Sequence, residues 1–344
     1  MFNLSHYPEA ARKMQNAMPY RYHIHASALL VLIASVGTSN ARAQDFLENE
    51  PNLKPTTGLF MTMAPVLRER QWTIDTIVAS QAARETRGQS SALFDGETTQ
   101  YRLGGNFAVT DQLRVGFSAQ YRTHRSGQLD PFIDSWHKAF GLPEGIRDDR
   151  PRDALDFQWT ERGTDVINLS DRQKGFGDTH LHASYRLSAQ NEDQGSWFVA
   201  GAIKLGTGDS DRLTGSGRTD IGVTLQYRSA AQPNRRWLWN ASVGSVWLGD
   251  ADLNAFDQRS VLFNGQVSLI LKVTKNFSLG ARLQAHSAVA QSELSMIGDP
   301  VAQLVTGGEW RFRKQTALRI TVAEDVIVEH SPDVTFKLGL AHAF

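Results

Sequence analysis

Residues Phe336–Phe344 read FKLGLAHAF, and their character alternates with a period of two. Phe336, Leu338 and Leu340 share one side of the pattern, whereas the residues between them are small or polar. Successive side chains of a β-strand point to opposite faces, so this alternation predicts a strand with one apolar face. A strand needs hydrogen-bonded neighbours, and the same pattern elsewhere in the chain supplies candidates.

The alternation recurs in eleven further segments, among which residues 112–123 (QLRVGFSAQYRT) are the clearest. An even number of antiparallel strands is typical of bacterial outer-membrane barrels. We therefore predict an all-β fold, a transmembrane antiparallel up-and-down β-barrel of about 12 strands over residues 71–344, with one short helix in a long outer loop. The other predicted strands cover about residues 72–81, 98–109, 177–187, 196–205, 219–228, 236–248, 261–273, 277–287, 302–312, 317–328 and 333–344.

The lengths of the predicted connections support a membrane barrel. Connections after even-numbered strands are brief, those after odd-numbered strands are mostly about ten residues or more, and residues 125–177 form one very long extracellular loop. Aromatic residues also collect at the predicted strand ends in two groups, as expected for rings at the two membrane interfaces. A soluble β-sandwich or periplasmic barrel would alternate too, but it predicts neither feature.

The N-terminal region has the pattern of an export signal. The apolar run SALLVLIASVG follows basic residues and precedes the small-x-small pattern ARA at residues 41–43. These features predict a signal peptide over residues 1–43, with Met1 or Met18 as the start and Gln44 as the first residue after cleavage. The apolar run is shorter than the roughly 20 residues that a membrane-spanning helix needs.

Two segments are candidates for closing the lumen. Residues 44–70 lack clear alternation, and we expect them either in the periplasm or inside the lumen as a plug. In the long loop, Asp130 and Pro131 predict the start of a helix over residues 131–141. Its apolar stripe needs cover, and folding over or into the mouth is favoured over packing on the rim or binding a partner. The stripe consists of Phe132, Trp136 and Phe140.

The polar faces of the predicted strands describe the lumen. They carry ten basic residues and five acidic ones, so a water-filled lumen would favour anions. The alternative is that these side chains pair across a narrow lumen and fill it. The lumen-lining candidates are Arg102, Arg114, Arg122, Asp178, His180, His182, Arg186, Lys204, Asp220, Arg282, His286, Arg311, Arg319 and Lys337.

Evidence for catalysis is thin. A hydrolase interpretation would use Ser184 with His180 or His182, but no nucleophile elbow or oxyanion motif accompanies them. A metal site at the two histidines would need ligands that the sequence does not indicate. Polar lumen lining is the better interpretation, and we expect no catalytic residues, cofactor or metal.

Composition limits the partners. The 344 residues include 36 basic and 36 acidic ones and no cysteine. The resulting zero net charge argues against nucleic-acid binding. Small solutes are the expected ligands of a narrow channel or transporter. An outer-membrane enzyme acting on lipid and a surface binding or structural barrel are the alternatives.

Two resemblances add to these expectations. Phe336, Leu338, Leu340 and Phe344 resemble the C-terminal signal of outer-membrane proteins, although His342 departs from the usual apolar residue. That resemblance implies contact with the barrel-assembly machinery, and a final location among outer-membrane lipid and lipopolysaccharide in a Gram-negative bacterium. The segments FIDSWHKAFGLPEG, GFGDTHLHASYRL and KLGTGDSDRLTGSGRTDIGVTLQY resemble a proteobacterial envelope family catalogued as domain of unknown function 3187. That resemblance implies a barrel and no assigned activity.

Overall fold

A computed structural model describes residues 46–47, 50–67, 69–141, 146, 149–188, 195–230, 234–254 and 256–344. The predicted signal peptide and Gln44 lie outside these residues. None of the helices described is long and apolar enough to cross a bilayer.

The described chain consists almost entirely of strands. In chain order the elements are β1 Gln71–Arg87, β2 Ser90–Ala108, β3 Leu113–Arg125, α1 Asp130–Phe140, β4 Asp156–Glu161, β5 Thr164–Leu169, β6 Gln173–Phe176, β7 Thr179–Arg186, β8 Ser196–Leu205, β9 Asp220–Arg228, β10 Trp237–Trp247, β11 Val261–Lys272, β12 Phe277–His286, α2 Ser295–Gly298, β13 Val301–Arg313, β14 Thr316–Asp325 and β15 Val334–Ala343.

The strands form a closed antiparallel barrel in which each barrel strand pairs with its neighbours along the chain. The last strand pairs with the first from Gln71 opposite Ala343 to Ser80 opposite Val334. Strands β6 and β7 both pair with β3 and together make one wall strand, so the wall has twelve. The predicted fold class is therefore confirmed. Closure satisfies the backbone hydrogen bonds of every wall strand, as a lipid environment requires.

The wall is apolar outside and polar inside. In β9, Ile221, Val223 and Leu225 are exposed on the outer face, whereas Thr224 and Gln226 are buried inside. A soluble barrel would show the reverse arrangement, because its apolar side chains must be shielded from water. The pattern belongs to a barrel whose outer face contacts lipid.

The short connections β2–β3, β11–β12 and β13–β14 mark one end of the barrel, here called the turn end; the opposite end is the loop end. At the turn end, Trp72 packs against Phe107 and Phe344, with ring centroids 5.3 and 6.3 Å apart respectively. The Phe344 amide donates to the Arg70 carbonyl at 3.4 Å. The final residue thus joins an aromatic cluster over the seam between β15 and β1.

Two connections differ from the sequence-based expectation. Strands β1 and β2 extend far beyond the predicted limits and meet in a two-residue turn at Gly88 and Gln89, where Gly88 has a φ of +58°. The long loop contains a hairpin, β4–β5, which pairs with the extended edge of β2. Sequence reasoning missed this hairpin because the surrounding charged residues hide its short alternating stretch.

The predicted helix exists, but it does not enter the mouth. The Phe132 ring packs against Phe336 with centroids 5.5 Å apart, and Phe336 belongs to the outer, lipid-type face of β15. At Phe132, α1 therefore packs against the outside of the rim, which is one of the alternatives that the sequence left open. The wall already offers an apolar outer face there, so the stripe finds cover without entering the lumen. The side chains of Trp136 and Phe140 lie outside the described residues.

Candidate functional site in the barrel lumen

Residues 46–47 and 50–67, here called the N-terminal segment, lie in the lumen and extend from the turn end to the loop end and back. Phe46 and Leu47 pack with Leu238 and Ile270 near the turn end. Lys54 reaches the loop end, where its ammonium group donates to the carbonyls of Met296 and Glu329, the latter at 2.7 Å. A turn follows, in which the Gly58 amide donates to the Lys54 carbonyl at 2.7 Å.

The returning part of the segment descends to the turn end. The Leu67 amide donates to Ser184 Oγ at 3.1 Å, and the Ser184 hydroxyl donates to the Leu67 carbonyl at 3.0 Å. Ser184 is therefore bound to the segment rather than to a histidine. The described residues of this segment thus contact the inner face of the wall.

Basic side chains of the wall hold the segment by its backbone. Lys204 donates to the Leu59 carbonyl at 2.9 Å and Arg228 to the Val66 carbonyl at 2.6 Å. The Arg122 guanidinium donates to the Gly58 carbonyl. Glu50 adds an ion pair with Lys337. Charged groups buried in the lumen thus obtain partners from a part of the chain that is not in the wall.

A buried ionic cluster joins the segment to an outer loop. Lys204 lies 3.0 Å from Asp178 and 2.9 Å from Asp220, and the Asp220 carboxylate accepts the Met61 amide at 2.9 Å. Asp178 also accepts the amides of Gly208 and Ser216, at 2.7 and 3.0 Å. The glycine-rich connection between β8 and β9 therefore wraps the Asp178 carboxylate.

Apolar side chains close the loop end. The N-terminal segment contributes Leu59, Phe60 and Met61 to a buried group, here called the loop-end cluster, with Phe94, Phe157, Trp159, Val246, Leu262, Val289 and Met296. Phe60 stacks on Phe256 with centroids 5.7 Å apart, and the edge of Trp159 meets the same ring at 5.5 Å. The long loop does help to close the mouth, but it does so through β4 and β5.

A cavity of about 150 Å³ remains between the segment and one side of the wall. It begins near Gln71 and Asn106 at the turn end and rises to Arg122 beneath the loop-end cluster. Its lining includes four basic side chains, Arg102, Arg122, Arg319 and Lys337, and two carboxylates, Glu50 and Asp75. Two positive charges among these six groups therefore exceed the negative ones, which gives a formal net charge of +2.

The fourteen lumen candidates all lie on the inner face of the wall, and most have a polar partner. Arg102 pairs with Asp75 at 2.7 Å, and Arg319 pairs with Glu309 at 2.9 Å. Several others contact neighbouring side chains or backbone: Arg282 with Gln266, His286 with Asn52, Arg311 with Glu309, Arg114 with the Thr110 carbonyl and Arg186 with the Asp111 carbonyl. The lumen is thus largely filled beside the cavity.

His180 and His182 both line the cavity on β7. His182 is 8% exposed, and its Nδ1 atom has no hydrogen-bond partner among the described residues. Within the described chain no group of three or more His, Asp or Glu side chains is arranged to hold a metal ion. Both histidines therefore contribute polar groups to the cavity lining.

Lys54 has an unusual environment. Complete burial lowers its pKa from 10.5 to about 7, although Asp325, Glu329, Asp333 and Glu85 oppose this effect. Burial also raises the pKa of Glu329. Sequence reasoning missed Lys54 and Glu50, because a segment without alternation gives no signal of which side chains meet the wall.

The chain is similar to several solved structures, of which the first named here supports the barrel fold. The COG4313 outer membrane channel from Pseudomonas putida F1 superposes with a TM-score of 0.53 at 14% identity, covering 82% of this chain and 97% of that chain. The autotransporter AIDA-I transport unit from Escherichia coli gives 0.47 at 12% identity, covering 85% and 96%. The NanC porin gives 0.45 at 7%, covering 79% and 100%. No curated protein matches the chain. A family model described as a protein of unknown function (DUF3187) matches residues 28–344.

Proposed function

The chain belongs to the DUF3187 family, and we propose that it is an outer-membrane channel or transporter for small solutes, closed in this conformation by its own N-terminal segment. The proposal depends on one observation, namely which part of the chain obstructs the lumen. The lumen is blocked mainly by residues 46–67, which are not part of the hydrogen-bonded wall. A barrel that served only as a scaffold could fill its lumen with side chains of the wall and would need no separate segment there.

The contacts of the segment support a movable plug. Between Glu50 and Leu67 it forms no helix or strand, and side chains of the wall hold it at separate points. The backbone of the wall closes through the pairing of β1 with β15, in which the segment takes no part. Displacement of the segment would therefore leave the barrel intact, as local opening of weakly connected regions commonly does.

The turn end would face the periplasm, because outer-membrane barrels have short periplasmic turns and longer external loops. The cavity then opens towards the periplasm, and the loop-end cluster separates it from the cell exterior. Passage of a solute would require the segment and this cluster to move together, since Leu59, Phe60 and Met61 belong to both.

A disulfide between the segment and the wall tests the proposal. A Cβ atom placed at Gly222 would lie 3.5 Å from Cβ of Ala64, within the range of disulfide geometry. The natural chain has no cysteine, so the pair Ala64→Cys and Gly222→Cys would be the only possible bridge. The refolded full chain is then studied in planar bilayers with and without reductant.

We expect conductance steps in the reduced double variant and their loss after oxidation. Each single-cysteine variant is the matched control, and neither should respond to oxidation. Equal conductance in the oxidised and reduced states would contradict the movable plug. A reduced protein that folds, inserts and never conducts, even after deletion of residues 46–67, would contradict the channel itself.

A further inference from the structure

Four neighbouring strands, β1, β2, β3 and β7, place a block of small and uncharged polar residues in one wall of the cavity. The residues form two adjacent rows across these strands, of which the second is nearer the turn end. The first row consists of Thr73, Gly104, Ser118 and His180, and the second of Gln71, Asn106, Gly116 and His182. Diagonal neighbours in two such rows lie about 7–8 Å apart. One small molecule can therefore contact both rows.

The two glycines of the block leave room beside polar side chains. A Cβ atom at Gly104 would lie 2.7 Å from Thr73 Oγ1, so the threonine hydroxyl lies beside bare backbone. A Cβ atom at Gly116 would lie 2.7 Å from Asn106 Oδ1 and 2.8 Å from His182 Nε2. Asn106 Oδ1 and His182 Nε2 are therefore at most 5.5 Å apart, the sum of these two distances. The amide and the imidazole thus converge over Gly116 from the two flanking strands.

Polar groups of the block have hydrogen-bonding capacity that the protein does not use. His182 is buried, and its Nδ1 atom has no partner among the described residues. The side chains of Thr73, Asn106 and Ser118 likewise form no hydrogen bond with any residue that the structure describes. All four side chains line the cavity. Because buried polar groups normally have partners, their convergence on one space indicates a ligand with hydrogen-bonding groups of its own.

The charged side chains nearest the block are engaged elsewhere. Arg102, in the next row towards the loop end, pairs with Asp75 at 2.7 Å. Arg114, the next inward residue of β3 towards the turn end, donates to a carbonyl of the β2–β3 turn. Arg122 is six residues from Gly116 along β3, which is roughly 20 Å. The groups left for a ligand are therefore hydroxyls, an amide and an imidazole, which can both donate and accept hydrogen bonds.

The N-terminal segment faces this block with apolar atoms. Met61, Met63 and Pro65 line the same cavity. The wall fixes the height of Met61, since its Cε atom lies 3.0 Å from the position of a Cβ atom at Gly222, which is in the same row as His182. A ligand between the two surfaces meets hydrogen-bonding groups on one side and apolar groups on the other. A sugar ring matches both, because its edge carries hydroxyl groups and its faces carry C–H groups.

We propose that the block and the facing part of the segment form a binding site for a small neutral polyol of the size of one sugar ring, which enters from the turn end. Asn106 and His182 hydrogen-bond hydroxyl groups at one end of the ligand, and Thr73 and Ser118 hydrogen-bond those above Gly104. This inference rests on the proposed function, and it names the class of solute. Unlike passage through the barrel, occupancy of the site requires no opening of the loop-end cluster.

Saturation-transfer NMR of the refolded full chain measures such binding without any conduction. The chain is kept in a zwitterionic detergent, because a detergent with a sugar headgroup would compete for the site. Glucose is the probe, glucuronate carries a carboxylate on the same ring, and cyclohexanol has a ring with one hydroxyl. We expect saturable binding of glucose and at least about tenfold weaker binding of the other two. A carboxylate without a counterion and the loss of several hydrogen bonds each reduce affinity to this degree.

Variants locate the site. Asn106→Leu removes the amide at similar volume and should weaken glucose binding about fivefold or more. Gly104→Ala should weaken it too, because the added methyl group takes up space in the site and its nearest neighbour is the end of the Thr73 side chain. Asn264→Leu is the matched control, since Asn264 is an inward-facing asparagine of β11 whose amide has no partner in the described chain and which does not line the cavity. Its affinity should stay within about twofold of the natural chain.

Heat-dependent migration in electrophoresis verifies that each variant has folded. Equal binding of glucose and either comparison molecule, or equal losses in the Asn106 and Asn264 variants, would overturn the site. Absence of glucose binding in a chain that does conduct would overturn it as well and leave the channel proposal standing. Specific binding in a chain that never conducts would support the site and count against the channel.

Discussion

At the scale of single residues, Lys54 links the N-terminal segment to the loop end. Its side chain is completely buried, contacts two loop carbonyls and lies 5.9 Å from the centre of the Phe94 ring. Its pKa of about 7 in the docked segment compares with 10.5 when the lysine is in water. Between pH 7 and pH 10.5, the state with the segment docked therefore binds fewer protons than the state with the segment released.

The sign of the pH effect follows from this difference. Docking releases a proton from Lys54 between pH 7 and 10.5, so it should strengthen as pH rises, by up to about 1.4 kcal/mol per pH unit. Single-channel recordings at pH 7.5 and 9.5 should show fewer openings at the higher pH. Lys54→Met should remove that difference, because it removes the ammonium group whose titration produces it. The same pH response in both chains would exclude Lys54 as its origin.

At the scale of elements, the two structured parts of the long loop, hairpin β4–β5 and helix α1, pack against different surfaces of the barrel. Hairpin β4–β5 delivers Phe157 and Trp159 to the buried loop-end cluster, whereas α1 covers Phe336 on the outer wall. Of these two elements, the hairpin contributes to the loop-end cluster, and α1 does not. A single loop can therefore combine an obstruction with a lipid-facing rim element.

Substitution in the two elements should have different effects. Trp159→Ala should weaken packing of the loop-end cluster, since removal of a buried tryptophan side chain typically costs about 3–5 kcal/mol. We expect more frequent opening of this variant in bilayer recordings. Replacement of residues 131–140 by a glycine-serine linker is the comparison, and its opening frequency should match that of the natural chain. Faster opening of the linker variant alone would show that α1, not the hairpin, controls closure.

The wall was predictable from sequence because the alternation of apolar and polar residues is visible within each strand by itself. In β9, alternating Ile221, Val223 and Leu225 define the outer face without reference to any other strand. The filling of the lumen was not predictable in this way. Glu50 meets Lys337 across 287 positions of the chain, and neither residue type nor local pattern indicates such a contact. Likewise, the position of α1 depends on the free apolar surface of β15, a property of the assembled barrel.

At the scale of the whole molecule, the segment supplies partners for several basic side chains of the wall. Gly58 and Leu59 present carbonyl oxygens to Arg122 and Lys204, and Glu50 presents a carboxylate to Lys337. The segment thus takes the place that anionic solutes would have in an open lumen. Its removal should reveal the charge of the wall.

Deletion of residues 46–67 tests this expectation. The resulting pore should conduct more than the full chain and should prefer chloride over potassium, as measured by the reversal potential under a salt gradient. Adding Arg122→Gln and Lys337→Gln to the deletion should reduce the preference. A deletion pore that prefers potassium would show that the lumen carboxylates, not the arginines and lysines, set its selectivity.

The seam between β1 and β15 has a consequence for how the barrel is assembled. Lys337 belongs to the strand that completes the cylinder, and its ammonium group is buried against Glu50. If the cylinder closed around an empty lumen, this charge would lack its counterion during the final step of strand pairing. Placement of Glu50 in the lumen therefore favours pairing of β15 with β1. Closure of the wall and docking of the N-terminal segment are thus thermodynamically coupled. A barrel that closes without the segment is less stable when it forms.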